Sequence, residues 1–220
     1  MSSIRLKHSS GNSMSISAPA TNPASDLELK LPATVGTATQ VLRNSSTPGT
    51  IEFGDAGVAN ADMWQLSASS SYTASDILDL TANWVRSSAE ATGSYQTFGT
   101  VGSAMSQSSG VFTFPSTGVW RIDFNLGVLA TGSAGWWGGL IRATKDNSSY
   151  VNTTEAWSSI WDGSSSVYES NYSTTLFDVT NTSTHKVKFA AHGVGDFTIY
   201  GDNSNAVPYT WVVFTRLGDT

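Results

Sequence analysis

Residues Gln107–Ala130, QSSGVFTFPSTGVWRIDFNLGVLA, restrict the fold more than any other stretch. From Trp120 onward, Trp120, Ile122, Phe124, Leu126 and Val128 are apolar, and Arg121, Asp123, Asn125 and Gly127 alternate with them. A period of two marks a strand with one buried face, whereas a helix would repeat its apolar residues every three or four positions. Upstream, Gly110–Phe114 is a shorter alternating piece with Phe112 and Phe114 on one side. Pro115-Ser-Thr-Gly118 lies between the two, with a proline to start a turn and a glycine to close it. The two pieces are expected to form an antiparallel hairpin. Its buried face needs a second sheet to cover it.

Strand-like runs recur from residue 61 to the end, among them Met63–Leu66, Trp84–Arg86, Trp136–Arg142, Glu155–Trp161, Val167–Asn171, Thr174–Val179, His185–Ala191, Phe197–Tyr200 and Tyr209–Leu217. Asp76–Trp84 reads as a loop, because no helical apolar stripe continues through it. Strand signals at a spacing of about 8–12 residues indicate an all-β sandwich or jelly roll. Residues 1–60 differ from residues 61–220: they hold one aromatic, Phe53, and are punctuated by Pro19, Pro23, Pro32 and Pro48. Short apolar pieces around Ile4 and Leu6, and the trio Leu27, Leu29 and Leu31, are too short to close a core. They need cover from outside the segment, and identical copies of the chain are the simplest source.

Charge narrows the function classes. Only 13% of residues are charged, against about 25% in an ordinary soluble protein. The net charge of −6 and the lack of a basic cluster argue against a nucleic-acid partner. There is no cysteine, hence no disulfide and no thiolate metal site. No signal peptide or membrane-length apolar run is visible, so membrane insertion is not expected. The sequons at Asn44, Asn147, Asn152, Asn171 and Asn181 then follow from a Ser/Thr/Asn-rich composition rather than from glycosylation.

No catalytic residues are expected. The chain has no nucleophile elbow, and no strand face carries the paired carboxylates that glycoside chemistry needs. No metal or cofactor is expected either: His8, His185 and His192 are scattered, and Asp162, Asp178 and Asp202 are not adjacent. Trp136 and Trp137, flanked by glycines, leave two readings open, a platform that stacks on a sugar or simple packing. Alternation puts one on each face, so at least one is structural. In the last strand Trp211 and Val213 alternate with Val212 and Phe214. A strand apolar on both faces is buried on both. Assigning Trp211 and Val213 to the domain's own core leaves Val212 and Phe214 to meet their copies in an oligomer.

Two family resemblances rest on these residues. Leu31-Pro-Ala-Thr-Val-Gly36, Gln40-Val-Leu42 and Phe53-Gly54 resemble the short shaft module of bacteriophage tail fibres, with Phe53 in place of its usual Trp. Gly110, Phe112, Pro115, Gly118 and Trp120 resemble the G-x-F-x-x-P-x-x-G-x-Y motif of the complement-component and tumour-necrosis-factor jelly rolls. Phe98–Ala104, Ile199-Tyr-Gly201 and Tyr209–Gly218 extend that second resemblance. It implies a trimer. Together the two imply a structural protein of a tailed-bacteriophage virion, a short trimeric fibre or spike. Residues Ile4, Leu6, Leu27, Leu29 and Leu31 would dock on other virion proteins, and an outward jelly-roll head would be free to meet a host-surface glycan or protein. The alternative is a capsid decoration protein with the same trimeric head.

Overall fold

The structure, a computed structural model, describes residues 3–7, 10–11, 13–17, 21, 23, 28–37, 40–45, 47–55, 57–73, 76–87, 99–130, 135–159, 166–202 and 207–220. It divides into two units, Met1–Ala56 and Gly57–Thr220. Among the described residues every regular element is a strand.

The first unit contains two antiparallel ribbons. Strands β1 (Ser3–Lys7) and β2 (Ser13–Ser17) pair with Ile4 opposite Ile16 and Leu6 opposite Met14. Strands β3 (Gln40–Asn44) and β4 (Ile51–Asp55) form the second ribbon, and Lys30 adds a parallel bridge to Thr50. The Phe53 ring lies across Gly36, where an added Cβ would stand 2.5 Å from the ring. The glycine and closing aromatic of the shaft-like module are therefore in contact. Among the described residues the β3–β4 ribbon encloses no core, as expected of a two-stranded piece.

The second unit is a sandwich of two sheets. One holds β5 (Ala61–Leu66), β6 (Ser70–Tyr72), β8 (Trp84–Arg86), β9 (Thr100–Val101), β12 (Gly118–Ala130), β15 (Val167–Val179), β17 (Phe197–Ile199) and β18 (Trp211–Gly218). Its order is β6-β17-β12-β18-β5-β8, with β15 along the other side of β12 and β9 beside β5. The facing sheet holds β7 (Leu78–Asp79), β10 (Ser106–Ser108), β11 (Val111–Thr113), β13 (Trp136–Thr144), β14 (Val151–Ser158) and β16 (Lys186–Val194). Its order is β10-β11-β16-β13-β14, with β7 on β16.

The expected hairpin is not one. β11 pairs with β10 and β16, while β12 pairs with β15, β17 and β18, so the two strands belong to opposite sheets. Pro115–Gly118 is a corner that carries the chain across the sandwich. Alternation reports that two consecutive strands each bury a face; it does not say whether they lie side by side or face to face. Here they face, and the Phe114 ring sits 5.3 Å from that of Trp120.

Phe112 is the centre of the core. From the second sheet it reaches Trp64, Trp84 and Phe214 of the first at 5.5, 5.4 and 5.2 Å between ring centroids, and its neighbour Phe189 at 5.4 Å. Edge-on and tilted contacts of this kind fill the space and add attraction beyond area burial. Two buried polar side chains of β15 tie the sheets together: Asn171 Nδ2 donates to the Ala156 carbonyl at 2.8 Å, and Ser173 Oγ to that of Gly139 at 2.9 Å. β15 is one continuous strand, where two had been expected.

At the rim of the core, Asp62 is 1% exposed in its side chain and accepts from four groups. These are Trp64 Nε1 at 3.0 Å, Arg86 Nε at 3.0 Å, Thr100 Oγ1 at 2.8 Å and the Met105 backbone N–H at 2.8 Å. The Arg86 guanidinium also lies over the Trp64 ring at 4.6 Å.

Gly110, which opens β11, has φ +76° and faces the Leu80 carbonyl oxygen, 2.2 Å from where a Cβ would sit. Gly110→Ala is therefore expected to cost about 2 kcal/mol or more, from the left-handed backbone and the overlap together. A urea melt checks it. An unchanged midpoint would show that the strand entry relaxes freely.

Candidate functional site

The outer face of the β12 sheet carries apolar and aromatic side chains on either side of the polar row Arg121, Asp123 and Asn125. Pairing places Asn125 of β12 between Tyr172 of β15 and Trp211 of β18, whose rings are 6.3 Å apart. Val213 follows Trp211 on the same face and pairs with Met63 of β5. Leu176 on the far strand is 64% exposed. Among these, Arg121 Nε donates to Asp123 Oδ1 at 3.0 Å, its NH2 donates to the Tyr172 hydroxyl at 3.0 Å, and that hydroxyl donates to Asp123. The Tyr172 hydroxyl first, and then the Asp123 carboxylate, hold the Arg121 guanidinium above its ordinary value. The one cation of the patch is thus matched within the protomer.

Further along this face Tyr200 packs edge-on against Tyr168 and Tyr209, at 5.6 and 4.6 Å. The three rings border an open hollow of about 660 Å³ that Asn125, Gly127 and Pro208 also line. The neighbouring Tyr168 phenol, followed by burial and Tyr209, pushes the Tyr200 hydroxyl up from its ordinary value.

The assignment of Val212 and Phe214 to a contact between copies is corrected. Both are 0% exposed within one protomer, and Phe214 lies among Phe112, Phe114 and Phe189. Trp211 and Val213 point outward instead, each only half-buried. The reason is the facing sheet: it offers phenylalanines to the Phe214 side of β18 and nothing to the other side.

The outer face of the second sheet carries a different cluster. Trp137 is buried in the core, and Trp136, its neighbour, turns outward. The Trp136 ring meets Trp157 at 5.2 Å and His192 edge-on at 4.7 Å. His192 Nδ1 is 2.7 Å from Glu155 Oε1. His192 was weighed from the sequence only as a metal ligand, and Trp157 and Glu155 not at all, since the three come from β14 and β16 and meet Trp136 only through sheet pairing. The remaining histidine of the second unit, His185, is buried between the hydroxyls of Thr180 and Thr184, at 3.2 and 3.1 Å, rather than lying on the surface.

Among the described residues no group of three or more His, Cys, Asp or Glu is placed to hold a metal ion. Asp146 is committed to its own loop, accepting from the Ser149 and Ser148 backbone N–H groups and from Thr144 Oγ1. The Ser149 N–H foremost keeps its carboxyl far below the usual carboxylate range. Asp178 lies on β15, and Asp162 falls outside the described residues.

Of the expected attachment residues, Leu29 and Leu31 are exposed, Leu31 by 72%. For Ile4 and Leu6 the backbone pairing alone is described, and Leu27 lies outside the described residues.

No protein-family model matches the chain, and no curated protein sequence matches it. Solved structures do. The Eiger TNF from S. frugiperda is 10% identical, with 73% of this chain and 93% of that one covered at a TM-score of 0.51. Murine APRIL is 12% identical, with 72% and 98% covered at a TM-score of 0.47. At such identity the likeness to the Eiger structure speaks for the fold alone: the all-β second unit is a TNF-like jelly roll.

Proposed function

We propose that the chain is a structural protein of a tailed-bacteriophage particle, a short homotrimeric fibre or spike. Its first unit docks on other virion proteins and its jelly-roll head is displayed outward. The observation that carries its self-association is the outer face of the β12 sheet, where Met63, Trp211 and Val213 lie on one side of the polar row Arg121, Asp123 and Asn125, and Tyr172 and Leu176 on the other. Surface apolar groups rimmed by polar residues mark contact sites. The exposed Leu29 and Leu31, together with the Gly36–Phe53 contact of a shaft-like module, support attachment through the first unit. The role is structural, without catalysis.

Light scattering should give about three times 23.3 kDa. Val213→Asp should lower that mass to a single chain, because it brings carboxylates together in a contact from which water is excluded. A wild-type monomer at micromolar concentration would refute the trimer. Imaging of particles labelled at Thr220 tests the setting: label at the tail supports the fibre, and label spread over the shell assigns the chain to capsid decoration instead.

A further inference from the structure

The Trp136–Trp157–His192–Glu155 cluster takes part in neither the core nor the face just described. We propose that it binds a neutral saccharide. The CH face of one pyranose ring packs on Trp157, and its hydroxyls hydrogen-bond with Glu155 and His192.

The apolar half of the site is built, not incidental. Trp157 is 66% exposed, and a lone exposed indole would need no account. This one is braced by Trp136, which His192 in turn holds edge-on. The floor is Gly138, paired with Trp157 on one side and His192 on the other. A Cβ on Gly138 would stand 2.7 Å from Trp157 Cδ1, so the glycine lets the indole lie down across the strand. The platform is fixed before any ligand arrives, which removes an ordering cost from binding.

The polar half is a carboxylate and an imidazole. Glu155 precedes Trp157 by two positions and shares its face of β14. His192 Nδ1 donates to Oε1, which leaves Oε2 without a partner among the described residues and Nε2 as a second polar atom of the site. An aromatic plane edged by a carboxylate oxygen and an imidazole nitrogen suits a ligand with one hydrocarbon face and hydroxyl groups around it. A phosphate or nucleotide would bring negative charge to Glu155 on a chain of net charge −6. An apolar peptide would leave both polar groups unpaired. A cation would find one carboxylate and one imidazole, fewer than a metal site needs. Hydrolysis is not implied, since it requires a second carboxyl group about 5–10 Å from the first.

The proposal names the ligand class for the outward head, and it rests on the proposed function for that setting alone. D-glucose, D-galactose, N-acetylglucosamine and L-rhamnose are titrated into the purified full chain, with saturation-transfer NMR and tryptophan fluorescence as readouts. At least one should bind saturably with a Kd on the order of 1 mM, as ligand efficiency allows for a monosaccharide. Trp157→Ala and Glu155→Gln should each weaken it by about tenfold, with thermal melts unchanged. Val101→Ala, on the other sheet, should not weaken it.

No saturable binding of any of the four sugars overturns the site. Binding that survives Trp157→Ala puts the sugar elsewhere and overturns it equally. If Trp157→Ala instead changes the mass of the assembly, the platform is a contact between copies and the saccharide proposal falls. A monomer that binds sugar through Trp157 would refute the trimer and leave the site standing.

Discussion

Phe214→Ala is expected to destabilise the second unit by about 3–5 kcal/mol, the range for deleting a buried phenylalanine ring. Phe214 is fully enclosed, with ring contacts at 5.2, 5.9 and 6.1 Å to Phe112, Phe189 and Phe114. Those three belong to β11, β16 and the corner after β11, so the cavity would open between the sheets, where neither can close it without shifting the other. Against a typical domain stability of about 5–15 kcal/mol, such a loss leaves a visible fraction unfolded at room temperature. Urea unfolding followed by tryptophan fluorescence measures it. Val213→Ala, on the half-buried outer side of the same strand, should cost a small part of that in the protomer. A Phe214→Ala protein that melts like the parent but falls apart into single chains would show that the two faces of β18 had been assigned the wrong way round.

The second large effect is at Asp62. Asp62→Ala removes the shared acceptor of four donors, two of them, Trp64 Nε1 and the Met105 N–H, in buried surroundings. Stranding buried donors costs about 1–3 kcal/mol each, and breaking a buried charge network about 3–5 kcal/mol in all. Arg86 is 38% exposed in its side chain, so water screens the ion pair and its share of the total is the smaller one. The loss should come mainly from the hydrogen bonds. Asp62→Asn keeps one acceptor oxygen and should retain part of the stability. Denaturation of the three proteins gives the ranking; a cost below about 1 kcal/mol for Asp62→Ala would mean that solvent replaces the carboxylate.

What could be read from the sequence follows from what is local. The alternation of Trp120 to Val128 depends only on neighbours along the chain, and the structure buries those residues on β12. The placing of Trp136 and Trp137 on opposite faces is local in the same sense. The partner of β11 is not local: Phe112 pairs with Val187, far along the chain, and no turn residue encodes that choice. Nor is the orientation of β18 local. Trp211, Val212, Val213 and Phe214 are all apolar, so alternation supplies two equal answers, and the phenylalanines of the opposite sheet decide between them. The Trp157, His192 and Glu155 cluster was hidden for the same reason, because its members meet across β13 only after β14 and β16 have paired with it.

The position of β18 has a consequence in time as well as in space. It comes after every other strand of the unit in chain order, yet it lies in the middle of its sheet, between β12 and β5. Met63, among the first residues of the unit to be made, waits for Val213. Until then β5 and β12 each present an unfilled edge, and such distant pairings slow folding because the loop between them must close before any contact rewards it. Trp211 and Val213 are themselves carried on β18. Under the proposed trimer, a protomer therefore has no complete association face until β18 has been made and seated between β12 and β5.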